Sequence, residues 1–200
     1  MLPGRRAAGG RHDAAARSNG LDEAALIARI VAGELRAFEE LYRLYHPRLT
    51  RFLINMLHRP YLVEEVLNDT MLVVWTRPER YNGASKVSTW IFAIAYRKGL
   101  KALRRHDEPM EDKDAEIRAS ADLGPEQQVG RRQVQDVLMT AIGELSTDHR
   151  AVVDLTYFHD VGYREIAETM DCPVDTVKTR MYHARRHLRK KLAGRLADWL

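Results

Sequence analysis

The sequence predicts an all-α protein built from two small helical domains that are joined by an acidic flexible linker. Apolar residues recur at helical spacing through two long segments of the chain, and no segment shows the strict alternation that is typical of strands. A stretch with two prolines and a net charge of −6 separates these segments. We therefore predict a disordered tail over residues 1–20, domains over residues 21–105 and 129–200, and a linker over residues 106–128.

Apolar spacing in the first domain predicts four helices, and prolines set their ends because proline lacks an amide hydrogen. The predicted helices run from Leu26 to Pro47, from Leu49 to His58, from Leu62 to Trp75 and from Thr89 to Arg105. The segment RPERYNGASKVS between the last two predicts a loop by its composition. Ser88, directly before the fourth helix, is the predicted N-cap.

The second domain is predicted to contain a helix-turn-helix. Its predicted helices are Val129–Glu144, His149–Tyr157, Tyr163–Met170 and Val174–Ala193. Asp171 lies where a tight turn requires positive φ, which Asp tolerates, and Pro173 suits a first helical turn. The last helix has one apolar stripe, formed by Val174, Val177, Met181, Ala184, Leu188 and Leu192.

The face opposite this stripe is cationic, which indicates contact with a polyanion. Residues 178–195 contain eight Lys or Arg and no Asp or Glu. A helix of this kind fits the major groove of DNA, with its first residues at base edges and later cations on phosphates. The alternative is a solvated basic face on an ordinary bundle helix. The exposed aromatic ring predicted at Tyr182 favours the DNA-binding interpretation.

Composition excludes several other classes of protein. The chain carries a net charge of +4 that is unevenly distributed, and this favours a nucleic-acid partner. No apolar run approaches the roughly 20 residues that span a bilayer, so we predict a cytoplasmic protein without membrane insertion. The single Cys172 excludes an internal disulfide and is interpreted as a packing residue; the alternative is a redox sensor. The histidines show no ligand pattern, so no metal and no cofactor is predicted.

Several segments resemble the ECF-type (group IV) sigma factors of bacterial RNA polymerase. The promoter-binding domain of that family is similar to LSTDHRAVVDL followed by TYFHDVGYREIAETMDCPVDTVKTRMYHARRHLRKKL. Its core-binding and promoter-melting domain is similar to AFEELYRLYHPRLTRFL, VEEVLNDTMLVVW and STWIFAIAYRKGLKALRR. These segments occur in the family's order and span residues 24–192.

The resemblance implies a specificity factor without catalytic activity. The first domain is expected to bind the clamp of the largest subunit of core RNA polymerase, recognise the −10 element and capture a flipped-out base. The second is expected to read the −35 element and to meet the flap of the second-largest subunit. The linker is expected to thread toward the RNA exit path. Further implied partners are promoter DNA and an anti-sigma factor.

Carrying the resemblance over residue by residue gives three sets of site residues. Those predicted to bind the −35 element are Lys178, Thr179, Arg180, Tyr182, His183, Arg185 and Arg186. Those predicted to bind and melt the −10 region are Tyr81, Asn82, Ser85, Lys86, Arg97, Lys98, Lys101, Arg104 and Arg105. Those predicted to bind core polymerase are Glu64, Glu65, Asn68 and Asp69. Melting requires such cations for the DNA backbone and such aromatic or polar groups for extruded bases.

The sequence departs from the family pattern in two places. Asn68-Asp69-Thr70-Met71 stands where the family often has Gln-Glu-Thr-Phe, so two docking side chains are shorter. Arg97 and Lys101 stand where the family commonly has Asn and Asp, which predicts promoter contacts that are more electrostatic and less base-specific. Two other functions remain open: a free-standing helix-turn-helix regulator, and an all-helical enzyme such as a metal phosphohydrolase.

Overall fold

The computed structural model describes residues 22–107 and 138–196, with side chains for residues 22–106 and 138–193. Within these ranges every regular element is helical, as predicted, and there is no strand. The N-terminal module contains α1 (Glu23–Val31), α2 (Leu35–Leu57), α3 (Pro60–Thr76), a 3₁₀ turn (Pro78–Arg80) and α4 (Val87–Asp107). The C-terminal module contains α5 (residues 138–143), α6 (Thr147–Tyr157), α7 (Tyr163–Met170) and α8 (Val174–Leu196).

Parts of the predicted organisation lie outside the described residues. These parts are the predicted tail, the first residue of the predicted first domain, the predicted linker beyond Asp107, and residues 129–137 and 197–200 of the predicted second domain. His106 and Asp107, which were predicted to belong to the linker, continue α4. The end of the fourth predicted helix at Arg105 was therefore two residues short.

The core of the N-terminal module is apolar and lies between α2, α3 and α4. Phe52 of α2 contacts Phe92 of α4 edge to face, with 5.3 Å between ring centroids. α4 approaches α2 closely at Gly99, because a Cβ placed there would lie 3.1 Å from the Met56 Cε atom. α1 covers one end of this core and is capped by Asp22, whose Oδ1 accepts hydrogen bonds from two backbone amides.

The predicted division of residues 26–58 into two helices at Pro47 was wrong, because the break lies at Gly33. α1 ends before Gly33, which adopts φ +81°, and α2 then runs without interruption through Pro47. Pro47 is exposed, so the carbonyl of Arg43 that loses its partner can bond to water. The buried stripe of α2 continues on both sides of the proline, from Leu41 to Met56, and its burial outweighs the missing hydrogen bond.

The predicted N-cap at Ser88 was also wrong, by two positions. The Lys86 carbonyl accepts a hydrogen bond from the Trp90 amide at 3.1 Å, which makes Lys86 the N-cap position. Val87 is the first helical residue and is buried in the core. Ser88 therefore lies within the first turn of α4.

The C-terminal module contains the predicted helix-turn-helix. α7 has the predicted bounds, and α8 begins at Val174 as predicted and extends to Leu196. α6 begins two residues earlier than predicted, after Ser146, whose hydroxyl caps it by accepting from the His149 amide at 3.4 Å.

The two modules are in direct contact. α2 packs against α6, and α4 packs against α7. Their buried side chains form one continuous cluster that includes Phe52 and Phe92 as well as Val152 and Ile166. In the part of the chain that the structure describes, no helix is both long and apolar enough to cross a membrane.

Candidate nucleic-acid and polymerase interfaces

The turn between α7 and α8 fixes the orientation of α8. Asp171 adopts φ 51° and ψ 55°, which confirms the predicted positive φ. The Cys172 amide donates to the Ala167 carbonyl at 3.0 Å, and the Asp171 amide donates to the Glu168 carbonyl at 3.4 Å. These two bonds form a Schellman motif, which ends α7 and reverses the chain within two residues. Ala167 is buried at the crossing of the two helices.

The faces of α8 are divided as the apolar stripe predicts. Val177, Met181 and Ala184 are buried, and the stripe becomes half-buried at its two ends. Six of the seven side chains predicted to bind the −35 element lie on the exposed side: Lys178, Thr179, Tyr182, His183, Arg185 and Arg186. Tyr182 is 61% exposed, and its ring meets that of His183 edge to face at 5.4 Å. The helix therefore presents cations, a hydroxyl and aromatic edges to solvent on one side.

Two of these exposed cations contact other exposed side chains. Lys178 Nζ lies 2.9 Å from Asp175 Oδ1, and Arg185 Nε donates to the Tyr157 hydroxyl at 3.0 Å. An exposed ion pair and a single exposed hydrogen bond contribute little to stability, so both partners can be exchanged at low cost.

Arg180 differs from the other six. Its Nη2 atom lies 2.5 Å from Asp148 Oδ2 of α6, and its Nη1 atom lies 3.6 Å from the Cys172 sulfur. The side chain is only 23% exposed. In this structure Arg180 joins α8 to α6 and does not point away from the module.

His149 lies beside the same face of α8. Its ring centroid is 6.3 Å from that of His183, and its Nδ1 atom is 2.9 Å from the Ser146 hydroxyl. Burial lowers the pKa of His149, and the nearby His183 and Arg180 lower it further. The neutral imidazole is thus favoured at this position.

The predicted −10 loop is ordered by its own polar groups. The Tyr81 hydroxyl donates to the Ser85 carbonyl at 2.7 Å, and Asn82 Oδ1 accepts from the Ala84 amide at 3.0 Å. The Tyr81 ring contacts the half-buried Trp90 at 5.5 Å. The loop is therefore prearranged, with Asn82 and Lys86 on its exposed side.

The predicted cations of α4 and the predicted polymerase-binding face of α3 are joined by ion pairs. Lys98 Nζ lies 3.0 Å from Asp69 Oδ2, and Arg105 pairs with Glu65. The remaining cations of that set, Arg97, Lys101 and Arg104, are exposed. Glu64, Glu65 and Asn68 are exposed and Asp69 is half-buried, as the prediction for this face requires. The apolar Leu72, which is 56% exposed, extends the same face by one turn.

A set of polar residues between the modules was missed by sequence reasoning. Arg150 and Asp154 of α6 are 9% and 2% exposed, and both bond to α2 of the other module. Burial lowers the pKa of Arg150. The overlooked signal is the i, i+4 spacing of two charged residues within the otherwise apolar run RAVVDL. A helix buried on all sides places such residues against another element.

No group of three or more His, Cys, Asp or Glu side chains within the described ranges is arranged to hold a metal ion.

Comparisons with known proteins assign both modules to one family. Residues 41–108 match the family described as Sigma-70 region 2, and residues 135–188 match Sigma-70, region 4. The chain is 26% identical over 182 residues to the ECF RNA polymerase sigma-E factor of Haemophilus influenzae, covering 86% of this chain and 96% of that protein. It is 29% identical over 160 residues to the ECF RNA polymerase sigma factor RpoE of Cereibacter sphaeroides, covering 78% and 87%.

The fold agrees with these relatives. The structure is similar to the sigma factor RpoE of Bartonella quintana, which was solved in complex with the anti-sigma factor NepR. That comparison has a TM-score of 0.63 and 25% sequence identity, and it covers 78% of this chain and 96% of that one.

Proposed function

The chain belongs to the ECF-type sigma factors of the sigma-70 family, and we propose that its two modules divide promoter recognition between them. As a sigma factor it binds core RNA polymerase and directs promoter-specific transcription initiation. We assign polymerase binding and the −10 element to residues 21–105, and the −35 element to residues 129–200. The assignment gives the chain no catalytic step, and it places the protein in the cytoplasm, where polymerase and promoter are found.

The −35 element is read by the exposed face of α8. The observation that carries this proposal is the burial of Val177, Met181 and Ala184, which points the opposite face outward from a helix-turn-helix. Lys178, Thr179, Tyr182 and His183 lie near the start of α8 and face base edges, because the N-terminal part of a recognition helix enters the major groove. Arg185 and Arg186 lie one turn later and face phosphates. Arg180 completes this set, and in the chain without DNA it pairs with Asp148 of α6.

The −10 element is bound by the loop before α4 and by α4 itself. The prearranged loop offers an aromatic ring, an amide and a cation at Tyr81, Asn82 and Lys86, and Ser85 holds the ring through its carbonyl. These are the groups that capture an extruded base. The cations of α4 follow the backbone of the DNA: Arg97, Lys98, Lys101, Arg104 and Arg105. Lys98 and Arg105 exchange their carboxylate partners for phosphates.

Core polymerase is bound by the exposed face of α3, which is formed by Glu64, Glu65, Asn68, Asp69 and Leu72. Acidic residues beside an exposed apolar side chain suit a partner surface that is basic and partly apolar. This face docks on the clamp of the largest subunit. The C-terminal module meets the flap of the second-largest subunit, and the acidic segment of residues 106–128 approaches the RNA exit path. An anti-sigma factor is proposed as a further partner.

Run-off transcription with core polymerase tests this function. Polymerase is mixed with the full chain and a library of genomic fragments, and the 5′ ends of the transcripts are sequenced. We expect a shared −35 and −10 pattern upstream of the start sites. Transcription without any shared pattern, or no transcription, would overturn the proposal.

Two variants separate the assigned surfaces. Lys178→Ala should weaken use of the −35 element by about tenfold, which is within the range measured for single base contacts, and should leave polymerase binding unchanged. Asp69→Lys should weaken polymerase binding and leave the sequence preference of the remaining transcripts unchanged. Glu39→Lys, which reverses an exposed acid on α2, is the matched control for the second variant.

A further inference from the structure

Three histidines lie together along one edge of the proposed −35 surface, where α8 passes the start of α6. The His183 ring of α8 lies 6.3 Å from the His149 ring of α6, measured between centroids. His187 follows His183 by one helical turn, and its Nε2 atom lies 3.3 Å from Glu144 Oε2. We call His149, His183 and His187 the histidine cluster. Histidine changes its charge near neutral pH, so the charge of this edge depends on pH.

The other charged groups around the histidine cluster form two ion pairs. Arg180 Nη2 of α8 lies 2.5 Å from Asp148 Oδ2 of α6, and Lys191 Nζ of α8 lies 2.7 Å from Glu144 Oε2. The other oxygen of Asp148 accepts a hydrogen bond from the Tyr96 hydroxyl of α4 at 2.7 Å. Each carboxylate is therefore already paired with a permanent cation, and neither offers its full negative charge to the histidines.

The ring of His149 is oriented by Ser146, the N-cap of α6. The Ser146 hydroxyl accepts from the His149 amide at 3.4 Å and lies 2.9 Å from His149 Nδ1. The hydroxyl hydrogen is thus available to Nδ1, and the neutral ring then carries its own proton on Nε2. The Nε2 atom is therefore a hydrogen-bond donor whether the ring is neutral or charged.

The free chain favours the neutral form of His149. Burial lowers its pKa, and the nearby His183, Arg180 and His187 lower it further, whereas Asp148 acts in the opposite direction. An anion placed beside the ring would reverse this balance, because it stabilises the imidazolium and offsets the repulsion from the neighbouring cations.

The position of His149 beside the recognition helix determines which part of the DNA it meets. An α-helix with its side chains is about 10–12 Å across and the major groove is about 12 Å wide, so a recognition helix fills the groove. Residues beside that helix face the edges of the groove, which are lined by phosphates. His183 is assigned to base edges, and His149 lies next to it on the α6 side. A backbone phosphate is therefore the DNA group expected at His149.

We propose that His149 binds a backbone phosphate at the −35 element and takes up one proton from solvent when it does so. The inference rests on the proposed function, because it requires DNA on the exposed face of α8. It extends the −35 surface from α8 onto α6. A hydrogen bond from an imidazolium to a phosphate is charge-assisted, and such bonds are about twice as strong as those between neutral groups.

The direction of the pH dependence follows from this proton uptake. DNA raises the pKa of His149 above its value in the free chain, so the complex binds more protons than the separate partners. Affinity therefore increases as the pH falls, by at most about tenfold for each pH unit between the two pKa values. Above the higher value the ring is neutral in both states, and only the weaker hydrogen bond from Nε2 remains.

Promoter binding by the reconstituted polymerase tests the proposal. Core polymerase with the full chain is titrated with two fragments of a promoter found by run-off transcription, one with its −35 element intact and one with that element replaced. The ratio of the two affinities measures the contribution of the −35 element, and effects of pH on the polymerase cancel. We expect this ratio to rise about fivefold between pH 7.5 and pH 6.

Two substitutions of His149 separate its charge from its packing. His149→Gln retains a hydrogen-bond donor that cannot become charged, so its ratio should equal that of the wild type at pH 7.5 and change less than about twofold at pH 6. His149→Lys carries a charge throughout this range. Its ratio should be independent of pH and match that of the wild type at pH 6.

His46→Gln is the matched control, because His46 lies on α2 beside Tyr42, away from the residues assigned to DNA or polymerase. Its ratio should follow that of the wild type at every pH.

Three results would overturn the proposal: a wild-type ratio that is independent of pH, a full wild-type pH dependence in His149→Gln, or an equal loss at every pH in that variant. The last result would assign His149 a structural role, provided that circular dichroism shows a folded chain. A wild-type ratio of one at every pH would instead overturn the proposed function, since the −35 element would then contribute nothing.

Discussion

The core of the N-terminal module and the contact of α2 and α4 with α6 and α7 are both buried, but only the contact between the modules also buries charged side chains. In the core, the side chains of Leu53, Leu67 and Ile91 are fully buried and apolar. Between the modules, apolar side chains form one cluster with this core, and the buried Arg150 and Asp154 in addition each bond to α2 of the other module. The two regions share α2. The Phe52 ring of this helix contacts Phe92 within the core and His159 of the C-terminal module.

The difference indicates which contacts contribute most to stability. Exposing an apolar core returns its full surface to water, which is costly and unfolds the module. The hydrogen bonds and ion pairs between the modules add less, because each replaces a hydrogen bond to water and its net contribution is small. The apolar cluster is therefore expected to contribute most of the free energy of unfolding, and the polar contacts between the modules are expected to contribute less.

The largest effect is expected from a substitution within the core. Leu53→Ala should lower the free energy of unfolding by about 2–5 kcal/mol, because it leaves a cavity among fully buried side chains. Chemical denaturation followed by circular dichroism measures this change. Leu72→Ala, at a residue that is 56% exposed, is the control and should change stability by less than about 0.5 kcal/mol. Equal effects of the two substitutions would contradict the distinction between core and surface.

The next largest effect is expected from Arg150. Arg150→Ala leaves the carbonyls of Met56 and Leu145 without their donor, and unsatisfied buried groups cost about 1–3 kcal/mol each. Hydrogen exchange should show faster exchange both in α6 and at the end of α2. Arg150→Lys should rescue little, because one ammonium group cannot replace the fork of a guanidinium. Exchange that changed in the C-terminal module alone would show that the bond to Met56 contributes nothing.

The sequence predicted the helices of each module well, because their apolar spacing is a local signal. α7 and the start of α8 were placed without error, and so was the positive φ of Asp171. The predictions made from Pro47 and Ser88 were wrong, because burial of the apolar stripe of α2 and of Val87 outweighs the local preference of a single residue. Burial of a continuous stripe can be recognised only when the partner helices are known.

The polar contacts were beyond sequence reasoning for a different reason. Asn55 and Asp154 meet although they are 99 positions apart, and no periodicity relates them. Arg180 was predicted to bind the −35 element with other cations of α8, and in the structure its side chain pairs with Asp148 of α6. The exposed face of α8 follows from the apolar stripe of that one helix, whereas an ion pair between helices depends on how two helices are arranged in space.

A smaller, pH-dependent effect is expected from two histidines near Arg150 and Arg180. The ring of His58 lies against Gly143, and partial burial lowers its pKa, with Arg150 acting in the same direction. The pKa of His149 is lowered by burial and then by His183. Both groups bind protons more weakly in the folded chain than in the unfolded one, where the pKa is about 6.5.

Their contribution to stability is therefore complete above a pH of about 6.5 and decreases as the pH falls through the lowered values. Thermal unfolding between pH 7.5 and 5 should show a falling melting temperature. The double variant His58→Asn and His149→Gln should show a shallower fall, and Asn suits position 58 because it tolerates the φ of 53° found there. Parallel curves for wild type and variant would exclude these two histidines as the source.

The smallest effect is expected from Tyr96→Phe, which removes only the hydroxyl that donates to Asp148 at 2.7 Å. A single hydrogen bond contributes about 1 kcal/mol, which corresponds to a change in melting temperature of about 2–4 °C for a chain of this size. Burial and Asp148 raise the pKa of Tyr96, so the hydroxyl remains protonated and donates throughout the neutral range. The effect should disappear when Asp148→Ala has already been introduced, because the two substitutions remove the same bond. Additive effects in this double-mutant cycle would show that Tyr96 stabilises the chain by packing, and that α4 and α6 are not coupled through Asp148.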